Sequence, residues 1–110
     1  MQKPVVDAVV IGRNEGARLL ACLDSLAHQV RQVVYVDSGS TDGSAQAAAA
    51  QGARVVQLDM TQPFTAARAR NAGLAVLTAP DFVQFVDGDC EMRPDWVATA
   101  LQAMAQHPRA

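Results

Sequence analysis

Two aspartates separated by one glycine, Asp87-Gly88-Asp89, follow the apolar run Phe82 to Val86. Hard divalent cations take carboxylate oxygens as ligands, and an intervening glycine lets the backbone pass close to a phosphate while both acids aim at one small region. The same letters occur in ordinary two-acid turns and in calcium loops. The calcium-hand pattern is excluded here, because the glycine stands at the wrong position and no glutamate closes the loop. Two more polar clusters, Gly12-Arg13-Asn14-Glu15 and Asp37-Ser38-Gly39-Ser40-Thr41-Asp42, also come directly after apolar runs. The second, taken alone, reads as a plain solvated turn, since Asp, Ser and Gly are common turn formers.

What gives these clusters weight is the set of elements that must hold them. Val5 to Ile11 is a β-branched run broken only by Asp7 and Ala8 and closed by Gly12, as expected of a buried parallel strand. From Glu15 onward, Leu19, Leu20, Leu23, Leu26 and Ala27 recur at three-to-four spacing, the stripe of a helix packed on a sheet. Gln32 to Val36 is a second strand, and the alanine-rich stretch after Ser44 is a strong helix former that Gly52 can stop. Ala53 to Leu58 supplies a third strand, Thr65 can cap a helix reaching about Thr78, and Phe82 to Val86 makes a fourth strand. Pro94 suits the first turn of a last helix, with Asp95 a favourable charge there and Val97, Leu101 and Met104 on one face.

This order predicts an α/β fold: a Rossmann-like, mainly parallel sheet of about four strands with helices on both faces. All three polar clusters then lie at the carboxyl edge of that sheet, where open α/β sheets bind their ligands.

Composition removes several alternatives. A chain of 110 residues, half of them hydrophobic, is a single domain with an ordinary core. A net charge of -2 provides no broad basic surface, which argues against a nucleic-acid partner. No apolar run is long enough to span a bilayer, and the opening residues lack the pattern of a signal peptide, so a cytoplasmic location is expected, or a membrane-peripheral one in a longer parent protein. Cys22 and Cys90 form no CxxC and stand at no zinc spacing from His28 or His107. Both thiols are expected to be reduced.

The clusters together resemble the amino-terminal half of family 2 glycosyltransferases, whose fold is the GT-A nucleotide-diphospho-sugar transferase fold. Val9 to Glu15 resembles the first strand and its Asn-Glu turn, and Val36 to Gly43 the Asp-Gly-Ser-Thr-Asp loop. Ala69-Arg70-Asn71-Ala72-Gly73 resembles the Ala-Arg-Asn helix, and Phe85 to Asp89 the Asp-x-Asp motif. The four motifs stand in the family's order.

The resemblance implies transfer of a sugar from a nucleotide-diphosphate donor to an acceptor hydroxyl, with inversion, the acceptor being a saccharide, a lipid carrier or another hydroxyl. It implies that Gly12, Asn14 and Glu15 border the base and ribose and that Asp37 and Ser38 lie near the base edge, where either can accept a base N–H. Arg70 would steady its loop or approach the diphosphate. Asp87 would meet the ribose hydroxyls or the metal through water, and Asp89 would ligate the Mn²⁺ or Mg²⁺ that bridges the phosphates.

Two departures qualify the resemblance. Ser38 stands where the family commonly has a second acid, which leaves the base unspecified. Family catalytic domains are longer, and Val97 to Ala110 contains no Asp or Glu to act as general base. The base is therefore expected outside residues 1–110, which read as a C-terminally truncated, nucleotide-sugar-binding part with an exposed surface open to self-association. A non-catalytic nucleotide-binding module of the same fold is the alternative. A dinucleotide-dependent dehydrogenase is disfavoured because Gly12-Arg13-Asn14-Glu15-Gly16 is not GxGxxG, and a sugar-nucleotide pyrophosphorylase because its glycine-rich opening loop is absent.

Overall fold

The computed structural model describes residues 5–90, 92 and 95–106. The expectation for Pro94 falls outside those residues. The element order is β1 (Val6–Gly12), α1 (Ala17–Leu26), β2 (Val33–Asp37), α2 (Ser44–Ala50), β3 (Arg54–Gln57), α3 (Ala66–Leu74), β4 (Phe82–Asp87) and α4 (Trp96–Gln106). All strand pairings are parallel, and the sheet order is β3-β2-β1-β4. The chain steps outward from β1 to β3 and returns to the other side of β1 for β4, which makes the carboxyl end of β1 a topological switch point.

Because β1 is central, it is covered on both faces, and Val6 through Val10 are all buried. Ala8 and Val10 pack with Leu19, Cys22, Leu23 and Leu26 of α1, Tyr35 of β2 and Ala48 of α2. On the opposite face Val9, Val34 and Val36 pack against Ala69 of α3. The helices therefore lie on both faces, as the strand-helix alternation predicts. Small residues set how closely they sit. A Cβ on Gly73 would lie 2.5 Å from Val9 Cγ1 and 3.2 Å from Val36 Cγ2, so α3 rests on the sheet at a distance only glycine permits.

Boundaries differ from the sequence expectation at several points. Helix α1 begins at Ala17 rather than Glu15, because Gly16 turns the chain at φ 53, ψ -123, a conformation open to glycine. Its buried stripe is Leu19, Cys22, Leu23 and Leu26; Leu20 is half-buried and Ala27 exposed. Thr65 caps α3 as expected, its side chain accepting from Arg68 N at 3.0 Å. That helix ends at Leu74, short of Thr78, and the chain turns so that Val76 and Leu77 join the α3-side core.

Asp7, an apparent flaw in the β1 run, is fully buried and takes a two-point hydrogen bond from Arg31, Nε to Oδ1 at 3.0 Å and Nη2 to Oδ2 at 2.6 Å. Arg31 also donates to Thr78 O at 3.0 Å, tying the amino edge of the sheet to the α3–β4 connection.

Candidate functional site

Strand register brings the polar clusters together. Gly12 pairs with Asp37 and Ile11 with Asp87, so the ends of β2 and β4 flank the end of β1 within one residue of each other. With neighbouring strands ~4.8 Å apart, the two aspartate backbones stand roughly 10 Å from each other across β1. The three loops are also bonded to one another. Ser38 N donates to Gly12 O at 3.0 Å, and Gly88 N donates to Ile11 O at 2.8 Å. Gly88 is buried, and a Cβ there would lie 3.3 Å from Ile11 O, so the turn after β4 hugs the end of β1.

Asn14 joins the first two loops. It adopts φ 53, in the left-handed region that Asn tolerates better than most residues, and its N–H donates to Ser40 Oγ at 2.9 Å while its Oδ1 accepts from Thr41 N at 2.7 Å. Glu15 beside it pairs with Arg18 at 3.0 Å, one turn into α1. In the second loop, Asp42 Oδ1 accepts from Ser44 N at 3.0 Å at the start of α2. The Ser44 hydroxyl is the main cause holding the Asp42 carboxyl below its ordinary range.

Asp37 and Ser38 are both buried, at 4% and 5% exposure, and their polar atoms fare differently. Asp37 Oδ1 accepts from the Tyr35 hydroxyl at 2.8 Å, and Oδ2 accepts from Ser40 N at 2.9 Å. Both oxygens thus have partners inside the protein. Ser38 Oγ is buried with no hydrogen-bond partner among the described residues. Leaving such a hydroxyl unpaired costs free energy.

On the other side of β1, Asp87 and Asp89 are exposed, and neither enters an ion pair among the described residues. No group of three or more His, Cys, Asp or Glu side chains is arranged to hold a metal ion among those residues. Cys90, next to Asp89, has its thiol pushed up, first by desolvation and then by the Asp89 charge. Arg70 does not reach the strand-end loops through any ion pair among the described residues; its guanidinium lies 5.8 Å from the centre of the Phe85 ring, a cation–π contact on β4. The arginine that organises a loop is instead Arg68, which donates to Asp59 O and Pro63 O, both at 2.8 Å, and so fixes the β3–α3 connection.

The sequence reading did not anticipate Tyr35, Ser40 or Arg68. A tyrosine two residues before a strand-end aspartate was the available signal for the first, since side chains at i and i+2 of a strand share a face.

A cavity of about 870 Å³ lies at the amino edge between β1, the end of α1 and α4, lined mainly by Val5, Val6, His28, Val97 and Leu101. It contains none of the three polar clusters. No described helix is long and apolar enough to cross a membrane.

Comparison with known proteins agrees with this architecture. The chain is 32% identical over 106 residues to a TPR repeat-containing protein of Synechococcus elongatus, covering 96% of this chain and 25% of that protein. It is 29% identical over 108 residues to glycosyltransferase GlyG of Streptococcus pneumoniae, covering 93% of this chain and 36% of that one. Among solved structures, glucosyl-3-phosphoglycerate synthase from Mycobacterium tuberculosis, in complex with Mn²⁺, uridine diphosphate and glucosyl-3-phosphoglycerate, superposes with a TM-score of 0.76 at 28% identity, covering 92% of this chain and 39% of that one. S. aureus TarS 1-349 superposes with a TM-score of 0.78 at 26% identity, covering 94% of this chain and 33% of that one. The chain thus spans well under half the length of these relatives. The family model for glycosyl transferase family 2 matches residues 7–110, nearly the whole sequence, and the chain belongs to that family.

Proposed function

We propose that residues 1–110 form the nucleotide-sugar-binding part of a glycosyltransferase that moves a sugar from a nucleotide-diphosphate donor to an acceptor hydroxyl with inversion. The observation that carries this reading is the division of chemistry across β1: a buried Ser38 hydroxyl with no partner among the described residues on one side and the exposed Asp87 and Asp89 carboxylates on the other. A nucleoside diphosphate needs a hydrogen-bonding pocket at one end and charge compensation at the other. Uridine diphosphate is the first nucleotide to test, because the similar mycobacterial synthase has been solved with it and with UDP-glucose.

The donor set at Asp87-Gly88-Asp89 fits a hard divalent cation, Mn²⁺ or Mg²⁺. Such ions retain waters and bind through one or two carboxylates plus substrate phosphates, which suits two exposed acids that enter no ion pair among the described residues. The cation, when bound, supplies positive charge against the negative charge that develops on the departing diphosphate. Asp89 is the proposed ligand, with Asp87 taking the ribose hydroxyls or a metal-bound water. Gly12, Asn14 and Glu15 border the nucleoside, and Arg70 steadies its helix against β4. The acceptor attacks the anomeric carbon from the side opposite the diphosphate, giving inversion, and the base that takes its proton is proposed to lie outside residues 1–110.

Calorimetry with uridine and uridine diphosphate, each in Mn²⁺ and in EDTA, tests this reading. Asp89→Asn is expected to abolish the affinity gained on adding Mn²⁺ while leaving uridine binding intact. Metal-dependent affinity that survives Asp89→Asn removes the proposed ligand.

A further inference from the structure

Tyr35 sits in the middle of β2, fully buried in the core between the sheet and α1. Phenylalanine would fill that volume without placing a hydroxyl beside a buried carboxylate, so the hydroxyl needs its own explanation. It donates to Asp37 Oδ1 at 2.8 Å, two residues along the same face of the strand. From there a continuous chain of hydrogen bonds runs outward. Asp37 Oδ2 accepts from Ser40 N at 2.9 Å, Ser40 Oγ accepts from Asn14 N at 2.9 Å, and Asn14 Oδ1 accepts from Thr41 N at 2.7 Å.

The inner end of this chain is held firmly. A Cβ on Gly12 would lie 3.3 Å from Tyr35 Cε1 and 3.4 Å from its hydroxyl oxygen, so the ring is wedged beneath the last residue of β1. Burial first, and then the hydrogen bond to Asp37, push the phenol's pKa up, so the hydroxyl holds its proton more tightly than a free tyrosine does. Ser38, whose buried hydroxyl has no partner among the described residues, lies between Asp37 and Ser40 in the same loop.

We infer that Tyr35 is a positioning residue for the nucleotide: by holding Asp37 it fixes residues 38–41 against Gly12 to Asn14 and aims the Ser38 hydroxyl at the nucleoside. Asp37 is then the keystone of the loop, and Ser38 is the group that reads the ligand. This inference rests on the donor-site reading above.

The test is a double-mutant cycle on uridine diphosphate affinity, measured by calorimetry in Mg²⁺ with Tyr35→Phe, Asp37→Ala and the pair. Tyr35→Phe is expected to weaken uridine and uridine diphosphate alike, by about threefold to tenfold, the scale of one charge-assisted hydrogen bond partly transmitted to the ligand. In the Asp37→Ala background the same substitution is expected to cost nothing further, because the residue through which it acts is gone. A core-packing role predicts the opposite, full affinity for Tyr35→Phe or a loss that persists without Asp37, and either result overturns the inference.

Tyr35 is the single tyrosine of the chain, so 3-fluorotyrosine labelling gives a ¹⁹F signal that needs no destabilising substitution. That signal is expected to shift on saturation with uridine diphosphate although the ring is buried; an unmoved signal in a chain that binds the nucleotide overturns the inference. Failure of the unaltered chain to bind uridine or its diphosphate overturns the donor-site reading itself, and this inference with it.

Discussion

Replacing Ser38 by alanine separates a ligand-reading hydroxyl from a structural one, because the two roles predict opposite signs. Ser38 is 5% exposed, its backbone N–H already bonds Gly12 O, and its Oγ is unpartnered among the described residues. Removing a buried polar atom that has no partner relieves a desolvation cost of about 1–3 kcal/mol, so the nucleotide-free variant is expected to be as stable as the parent or more so. A gain of about 1 kcal/mol corresponds to roughly 4–8 °C in Tm for a domain of this size. In the bound state the same substitution deletes a hydrogen bond worth about 0.5–1.5 kcal/mol net, which is roughly a twofold to tenfold loss of nucleoside affinity. Thermal melts of the nucleotide-free protein and calorimetry with uridine read the two halves independently. A variant that melts lower and binds uridine unchanged would show that Ser38 Oγ serves the fold and that the donor pocket lies elsewhere.

Further outcomes follow from packing and charge. Gly73→Ala forces a methyl to within 2.5 Å of Val9 Cγ1, and chemical denaturation is expected to show a loss of about 1–3 kcal/mol as α3 is pushed off the sheet. The raised pKa of Tyr35 means that the folded chain holds the phenol proton more tightly than the unfolded one. Its contribution is therefore fully present below the ordinary tyrosine pKa of about 10 and declines as pH rises beyond it, and Tyr35→Phe is expected to flatten that alkaline slope in urea titrations run from neutral pH upward. Arg31→Ala strands the buried Asp7 carboxylate without its two-point partner and is expected to lower Tm, with nucleotide affinity at the far edge of the sheet unchanged below the melt.

The central strands were legible because they are parallel and buried, so β1 and β2 appear as near-continuous β-branched runs rather than alternating ones, while β4 shows as an aromatic and valine run at the sheet edge. Loops at the strand ends were legible for the same reason: once the runs are placed, Gly12, Asp37 and Asp87 must fall on one edge. What stayed hidden depends on partners distant in sequence. Asp7 reads as a break in a hydrophobic run until Arg31 is brought to it by the α1 crossover. Asp37 reads as a ligand-facing acid until the Tyr35 hydroxyl and the Ser40 amide are seen to occupy its oxygens. The length of α3 was overestimated because its continuation, Ala75 to Leu77, is as helix-compatible as the helix itself, and only burial of Val76 and Leu77 against the sheet turns the chain away.

The central claim is that the three strand-end loops, not the cavity beneath α4, take a nucleoside diphosphate and its cation. Amide chemical shifts recorded while uridine diphosphate and Mg²⁺ are titrated into the labelled chain test it directly, with trace Mn²⁺ added to broaden nearby resonances. The account predicts shifts at Gly12 to Gly16, Ser38 to Gly43 and Gly88 to Cys90, with broadening centred on Asp89. Shifts confined to Val5, His28, Val97 and Leu101, with broadening away from Asp89, would contradict it.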